Sequence, residues 1–166
     1  MKKIILAFIL SLLLFCSCKN EYNILSYQEN DIEAQCIVNE KFNLEIKKSG
    51  KSVNISVLSP KSLAGVKFEI SENSSFVIKD EIKIPLKNED ISGIYALSRI
   101  FSLNEEAITT ASYEGVISFD TEYGIYSVSY GKNNLPQHIE ISAADFDYSV
   151  VIKGIKLSPS STAKSS

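Results

Sequence analysis

The sequence has few of the residues on which enzyme and metal sites most often depend. Its 166 residues include no Trp, one His and three Cys, and Arg99 is its only arginine. The single histidine, His138, argues against a histidine-based metal site and against most histidine-dependent catalysis. The seven Gly are scattered among predicted turns and form no Gly-rich phosphate-binding loop. We therefore predict a protein that is not an enzyme and holds no cofactor or metal.

Charge of either sign is also limited. Lys and Arg number 17 against 20 Asp and Glu, which gives a formal net charge of −3 at pH 7. This balance excludes a strongly basic nucleic-acid binder. A chain that is 45% hydrophobic and 22% charged is typical of a globular protein, and its length suits one domain with short tails.

Two groups of chemistry-bearing residues are weak candidates for a site. His138 would need a serine and an acid brought to it by the fold to form a triad, and no nucleophile-elbow motif is present. Glu140, Asp145 and Asp147 lie close together but lack the dense Asp, Asn and Gly pattern of a calcium loop. We favour an exposed, non-catalytic histidine for His138 and a solvated hairpin for the acidic group.

The longest hydrophobic run lies at the N-terminus. Lys2 and Lys3 precede the apolar residues 4–15, and no acidic residue occurs before Glu21. A membrane-spanning helix needs about 20 apolar residues, so this run is too short for one. A short basic stretch followed by such a run is typical of a secretory signal peptide.

The end of this run resembles the signal of bacterial lipoproteins. Ser17, a small residue, directly precedes Cys18, whereas the bulky Phe15 precedes Cys16 and fits the pattern poorly. The resemblance implies cleavage before Cys18 and a diacylglyceryl group on its thiol. The protein would then be anchored on the extracytoplasmic side of a membrane, because two acyl chains on one residue anchor stably. A plain secreted protein or an uncleaved anchor is the alternative.

The composition divides the remaining chain into three parts. Residues 18–30 are mostly polar and are predicted to be a lipidated tether, and the Ser-rich residues 158–166 are predicted to be a disordered tail. The folded domain is then residues 31–157. Within it, Cys36 belongs to the alternating apolar series Ile32, Ala34, Cys36 and Val38, which predicts a buried residue, and it has no cysteine partner for a disulfide.

Apolar and polar residues alternate with period two through most of this domain, which predicts β-strands. The clearest example is a hairpin over residues 42–58 with a turn at Ser49 and Gly50. One stretch has a helical period instead and predicts a single helix over residues 91–102. Its apolar positions are Ile91, Ile94, Tyr95, Leu97, Ile100 and Phe101.

The elements add up to about nine or ten short strands and one helix. Their short connections predict mostly antiparallel pairing. We expect a mainly β (α+β) domain built from one curved antiparallel sheet, a half-barrel, with the helix across its concave side. A closed up-and-down β-barrel is the alternative.

Three features together resemble the LolA-like family of lipid and lipoprotein carriers. They are the hairpin at residues 42–58 followed by a Pro-containing strand, the single helix that interrupts the sheet, and a final series of strands around Asn134-Leu135-Pro136. The resemblance implies a half-barrel whose apolar concave side holds acyl chains.

From this we predict a non-enzymatic lipoprotein that binds a lipid or an acylated protein on its curved sheet. The candidate lining residues are Phe68, Ile94, Leu97, Ile100, Phe101, Tyr126, Ile141 and Val150. The alternative is an anchored protein-interaction or structural module with a filled core. A pocket with apolar walls favours the first function, and a close-packed interior favours the second.

Overall fold

The computed structural model describes residues 25–87, 91–111 and 115–160, which form eleven strands and one α-helix. The strands are β1 (Asp31–Val38), β2 (Phe42–Ser49), β3 (Ser52–Ser59), β4 (Lys67–Ile70), β5 (Ser75–Lys79), β6 (Ile82–Pro85), β7 (Ile108–Ala111), β8 (Val116–Thr121), β9 (Gly124–Tyr130), β10 (Pro136–Ser142) and β11 (Asp147–Ser158). The helix α1 (Ser92–Arg99) lies between β6 and β7, and short 3₁₀ turns occupy Ser26–Glu29 and Glu105–Ala107.

All eleven strands belong to one antiparallel sheet. Their order is β6-β5-β4-β3-β2-β1-β11-β10-β9-β8-β7, so β6 and β7 are the two edges and the sheet is open. The prediction of one long antiparallel sheet is confirmed, and the alternative of a closed barrel is wrong. Pro85 ends the edge strand β6, where a residue without a backbone N–H is tolerated.

One face of the sheet carries the hydrophobic core, and we name it the inner face. In β1 the buried residues Ile32, Ala34, Cys36 and Val38 alternate with more exposed ones. β2 and β3 repeat the pattern and are joined at Gly50, whose φ of 55° lies in the region that glycine adopts without strain. The strict alternation in the sequence thus places one side of every central strand against the core.

The helix is shorter than the sequence predicts. It begins at Ser92 and ends at Arg99, whereas the prediction covered residues 91–102. Ile100 and Phe101 follow its end, yet both are 0% exposed. The apolar positions that predicted a longer helix are therefore buried in the core, although the chain is no longer helical there. Asn88 and Asp90, either of which can cap the start of such a helix, lie outside the described residues.

The sheet curves around the helix. Helix α1 contacts β3 and β4, and its Ala96 carbonyl accepts a hydrogen bond of 2.9 Å from the Tyr126 hydroxyl on β9. In a flat sheet the strand spacings between β3 and β9 would span about 24 Å, whereas a helix of this length spans about 12 Å. A curved sheet with the helix on its concave inner face accounts for contacts to both strands.

The folded unit begins before Asp31. Leu25 and Tyr27 are buried in the core, within the stretch predicted to be a tether. The Lys48 ammonium, itself 8% exposed, donates a 2.6 Å hydrogen bond to the Gln28 carbonyl and so holds this turn on the sheet. At the other end β11 includes Ser158, the first residue of the predicted tail, and residues 161–166 lie outside the described part of the chain. The predicted signal peptide, residues 1–17, also lies outside it.

Candidate ligand-binding site

An apolar pocket of about 200 Å³ lies between helix α1 and the inner face of the sheet. One wall is formed by Val38 of β1, Phe42 and Leu44 of β2, Val57 of β3 and Phe68 of β4. These residues occupy the inner-face positions of neighbouring strands, so the period-two alternation of the sequence creates this wall directly.

The opposite wall comes from the helix and from the connection between β3 and β4. Ile94 and Leu97 are three residues apart on α1 and face the pocket on the same side. Leu63 and Val66 contribute from the connection, which is held by a 3.1 Å hydrogen bond from Gly65 N–H to the Val57 carbonyl. Leu63 is 42% exposed and stands at the mouth of the pocket.

Tyr148 of β11 brings the only polar side-chain group to this pocket. Its ring stacks on Phe146 at 5.0 Å between centroids, and burial raises the pKa of its hydroxyl. A Cβ on Gly93 would collide with that hydroxyl, so the glycine leaves the room that the tyrosine occupies. Within the part of the chain that the structure describes, no side chain or carbonyl accepts a hydrogen bond from this hydroxyl, which leaves it available to a ligand.

The apolar surface continues from the core, past the pocket, to the edge of the sheet. Ile55, Phe68, Val77 and Ile84 are directly paired across β3, β4, β5 and β6, and directly paired residues share one face. Exposure rises along this row from 0% at Ile55 to 53% at Ile84. Ile82, on the same face of β6, is 65% exposed. We name the part of this surface outside the buried core the apolar strip; it consists of the half-buried Phe68 and Val77 and the exposed Ile82 and Ile84.

The structure brings together only some of the residues predicted to line a ligand site. Phe68, Ile94 and Leu97 line the apolar pocket. The other five are at most 1% exposed and lie in the packed core: Ile100, Phe101, Tyr126, Ile141 and Val150. The tyrosine hydroxyl there already has the helix carbonyl as its partner.

Several lining residues were not identified from the sequence. Val38 and Phe42 follow the strand alternation, but they lie at strand ends, where the pattern alone does not show whether the helix covers them. Leu63 lies in the connection Lys61–Gly65, which has no periodicity to place it. Tyr148 belongs to a group of aromatic residues concentrated after the helix in the sequence, and no local signal distinguishes it from the others.

His138 lies in a polar cluster on the outer face of the sheet. Its Nε2 atom contacts the Glu140 carboxylate and lies 3.2 Å from the Ser149 hydroxyl, which also donates a 3.0 Å hydrogen bond to that carboxylate. In a Ser-His-acid triad the two partners bind different ring nitrogens. Here both partners meet the same nitrogen on an exposed surface, so this cluster does not have the geometry of a proton relay.

The two cysteines outside the signal run have different environments. Cys36 is 2% exposed, and burial raises the pKa of its thiol to about 12. The thiol is therefore neutral at physiological pH and unsuited to nucleophilic chemistry. Cys18, the predicted lipidation site, lies outside the described residues.

No helix in residues 25–87, 91–111 or 115–160 is long and apolar enough to span a bilayer. Across those ranges no three His, Cys, Asp or Glu side chains lie close enough together to hold a metal ion. Asp147, one of the acidic residues noted in the sequence, accepts a 2.7 Å hydrogen bond from the Ser142 hydroxyl.

Comparisons with known proteins define the fold. No family model matches the sequence, and no curated protein matches it. An uncharacterized conserved protein from Thermus thermophilus has a similar structure, with a TM-score of 0.50 at 12% identity over 84% of this chain and 86% of that one. A LolA superfamily protein from Nitrosomonas europaea gives a TM-score of 0.36 at 9% identity over 81% and 92% of the two chains. The first likeness shows that an open sheet of this kind occurs in another solved structure.

Proposed function

We propose that this protein binds a hydrophobic ligand, a lipid or an acylated protein, on the inner face of its sheet and performs no chemistry on it. The observation that supports the proposal is an apolar pocket that continues into exposed apolar surface. Nine of its ten lining residues carry no polar side-chain group. Leu63 at its mouth and the apolar strip beside it remain in contact with water, which is unfavourable unless another apolar group covers them.

The volume of the pocket limits what it holds. Pockets for drug-sized ligands measure about 300–1,000 Å³, and this one measures about 200 Å³. It therefore suits one end of an acyl chain, and the rest of the chain would lie along the apolar strip toward β6. The Tyr148 hydroxyl is placed to hydrogen-bond a polar group of the ligand at the pocket.

The packed core supports a second candidate, an interaction or structural module with a filled interior. Five of the residues that the sequence predicts to line a ligand site are at most 1% exposed. In this case the apolar strip at the β6 edge would bind another protein, and the pocket would stay empty. Binding of an acyl probe separates the two candidates.

The sequence at the N-terminus supports a membrane location for this function. Ser17 before Cys18 supports lipidation at Cys18, with anchoring on the extracytoplasmic side of a membrane. Cys18→Ala should therefore abolish metabolic labelling with a fatty acid and release the protein from the membrane fraction or leave it uncleaved. Cys16→Ser is the matched control, because bulky Phe15 precedes it. Loss of labelling in the Cys16 variant, with labelling retained in the Cys18 variant, would contradict the assignment.

Two exposed leucines on opposite faces test the ligand site. Leu63 is 42% exposed at the pocket mouth, and Leu58 is 50% exposed on the outer face of β3, since its neighbour Val57 faces inward. Leu63→Gln should weaken binding of a fluorescent fatty acid about fivefold to tenfold, because about 1 kcal/mol of apolar contact is lost. Leu58→Gln should leave binding unchanged.

A chain that begins at Lys19 suits this measurement, because it retains every described residue and removes the predicted anchor. Matching melting temperatures for the two variants would show that the comparison reports binding alone. Equal effects of both substitutions would place the probe elsewhere, and a wild-type chain that never binds the probe would favour the interaction module.

A further inference from the structure

A second, polar groove lies on the other side of helix α1. It consists of two adjoining pockets of about 240 and 330 Å³, which share Arg99, Ser102 and Tyr123. The first reaches the β2–β3 turn at Gly50 and Lys51, and the second reaches the β8–β9 turn at Glu122. Neither pocket shares a lining residue with the apolar pocket.

The helix separates the polar groove from the apolar pocket. Along β3, Val53 lines the former and Val57 the latter, which corresponds to about 13 Å of strand. Ile55 lies between them and is 0% exposed, so the core is closed between the two pockets. A ligand in the polar groove would therefore not occupy the apolar pocket as well.

Arg99 is the central side chain of this groove. Its guanidinium carbon lies 5.8 Å from the centroid of the Tyr123 ring, which supports the planar group from one side. Among the residues that the structure describes, no carboxylate lies within 4.0 Å of it. A cation in the last turn of a helix is favourable in itself. The guanidinium is exposed and interacts with the Tyr123 hydroxyl, which leaves its other donors for an anion.

Charge differs between the two pockets. In the first, Lys51 and Arg99 are cationic, and Glu72, the one carboxylate among its described lining residues, is 2.7 Å from the Lys51 ammonium. In the second, Asp120 and Glu122 add two carboxylates to the lining that includes Arg99. The first pocket is therefore the anion-attracting one, in a chain whose overall charge is negative.

The first pocket also carries several hydroxyl groups. Ser71, Ser98 and Ser102 line it together with Tyr95 and Tyr123. Ser98 and Ser71 donate to the carbonyls of Tyr95 and Ser74, at 2.7 and 2.9 Å, which fixes their orientation. Two cations ringed by hydroxyls suit a phosphate group, which offers more acceptor oxygens than a single guanidinium satisfies.

We propose that this first pocket binds a phosphate group, either of a small soluble molecule or of a lipid head group, through Arg99 and Lys51. The site is independent of the acyl-binding function, because the helix and the closed core lie between the two pockets. Phosphate that enters the pocket displaces water from an exposed guanidinium and is excluded from the acidic half of the groove beyond it.

The single arginine makes the site directly observable. Because Arg99 is the only arginine in the chain, its side-chain Nε–H gives one unambiguous signal in a ¹⁵N-resolved NMR spectrum. We would titrate the full chain in a maltoside detergent with inorganic phosphate, using chloride at equal ionic strength as the reference. We expect this signal to shift with phosphate and to saturate, with little response to chloride.

Variants and a second source of phosphate complete the test. Arg99→Lys should weaken phosphate binding several-fold and Lys51→Gln should weaken it similarly, followed through the backbone signal of Ser102, whereas Lys156→Gln on β11 should not change it. Micelles containing phosphatidic acid, compared with soluble glycerol 3-phosphate, distinguish a head group from a free ligand, and saturable binding of either supports the site. An Arg99 signal that responds equally to chloride, or only linearly to both forms of phosphate, would overturn the proposal.

Discussion

Phe101→Ala is expected to lower the free energy of unfolding by about 3–5 kcal/mol, the range for a large aromatic side chain removed from a packed core. Phe101 is 0% exposed and lies two residues after the end of the helix, where it belongs to the packed core. Its removal leaves a void that neighbouring strands cannot fill, because each is held in the sheet by two partners. Urea denaturation with an unchanged m-value would measure the loss.

Phe76 provides the matched control for this substitution. It lies on the outer face near the β6 edge, partly exposed, with the Lys83 ammonium 4.2 Å from its ring centroid. Phe76→Ala should cost about 1 kcal/mol, because its ring is only partly removed from water. Equal losses in the two variants would show that residues after the helix do not belong to the core.

Leu97→Ala should separate stability from ligand binding. Leu97 is 3% exposed but borders the apolar pocket, so its side chain lacks packing partners on the pocket side and truncation removes fewer contacts. We expect a loss near the lower end of the range of about 2–5 kcal/mol for buried leucines. Binding of a fluorescent fatty acid should weaken at the same time, because the residue forms part of the pocket wall.

Leu103 shows whether that loss of binding is specific. It is 5% exposed and does not line the apolar pocket. Leu103→Ala should destabilise the protein by a similar or larger amount while leaving probe binding intact at temperatures where the fold persists. If both variants lose binding in proportion to stability, Leu97 acts through the fold and not through the ligand.

The strand pattern could be predicted because each central strand is buried on one face only. Burial on one face requires an apolar residue at every second position, as in Ile32, Ala34, Cys36 and Val38. Pro85 is a local sign of an edge or a strand end at β6, because it has no backbone N–H to pair. Local rules of backbone geometry and burial were thus enough for the sheet, the antiparallel pairing and the single helix.

The binding pocket could be predicted only in part, because it depends on which part of the inner face the helix leaves uncovered. Phe68 and Val150 both read as inner-face residues, yet one lines the pocket and the other is 0% exposed. The difference comes from the position of a short helix, Ser92–Arg99, on a curved sheet. Arg99 and Lys51 line one pocket because of the same helix position, and the periodicity of the sequence does not predict that they come together.

The strand order sets the sequence in which the protein can fold during synthesis. β1 and β11 are the first and last strands in the sequence, yet they pair at the middle of the sheet, with Asp31 opposite Ser158. The strands β1–β6 and β7–β11 each form a run of neighbours that can assemble locally as the ribosome releases them. The central joint must wait for the last strand, and a product cut off before β11 would present the unpaired edge of β1 to other chains. Truncation before β11 should therefore cause aggregation rather than give a smaller stable protein.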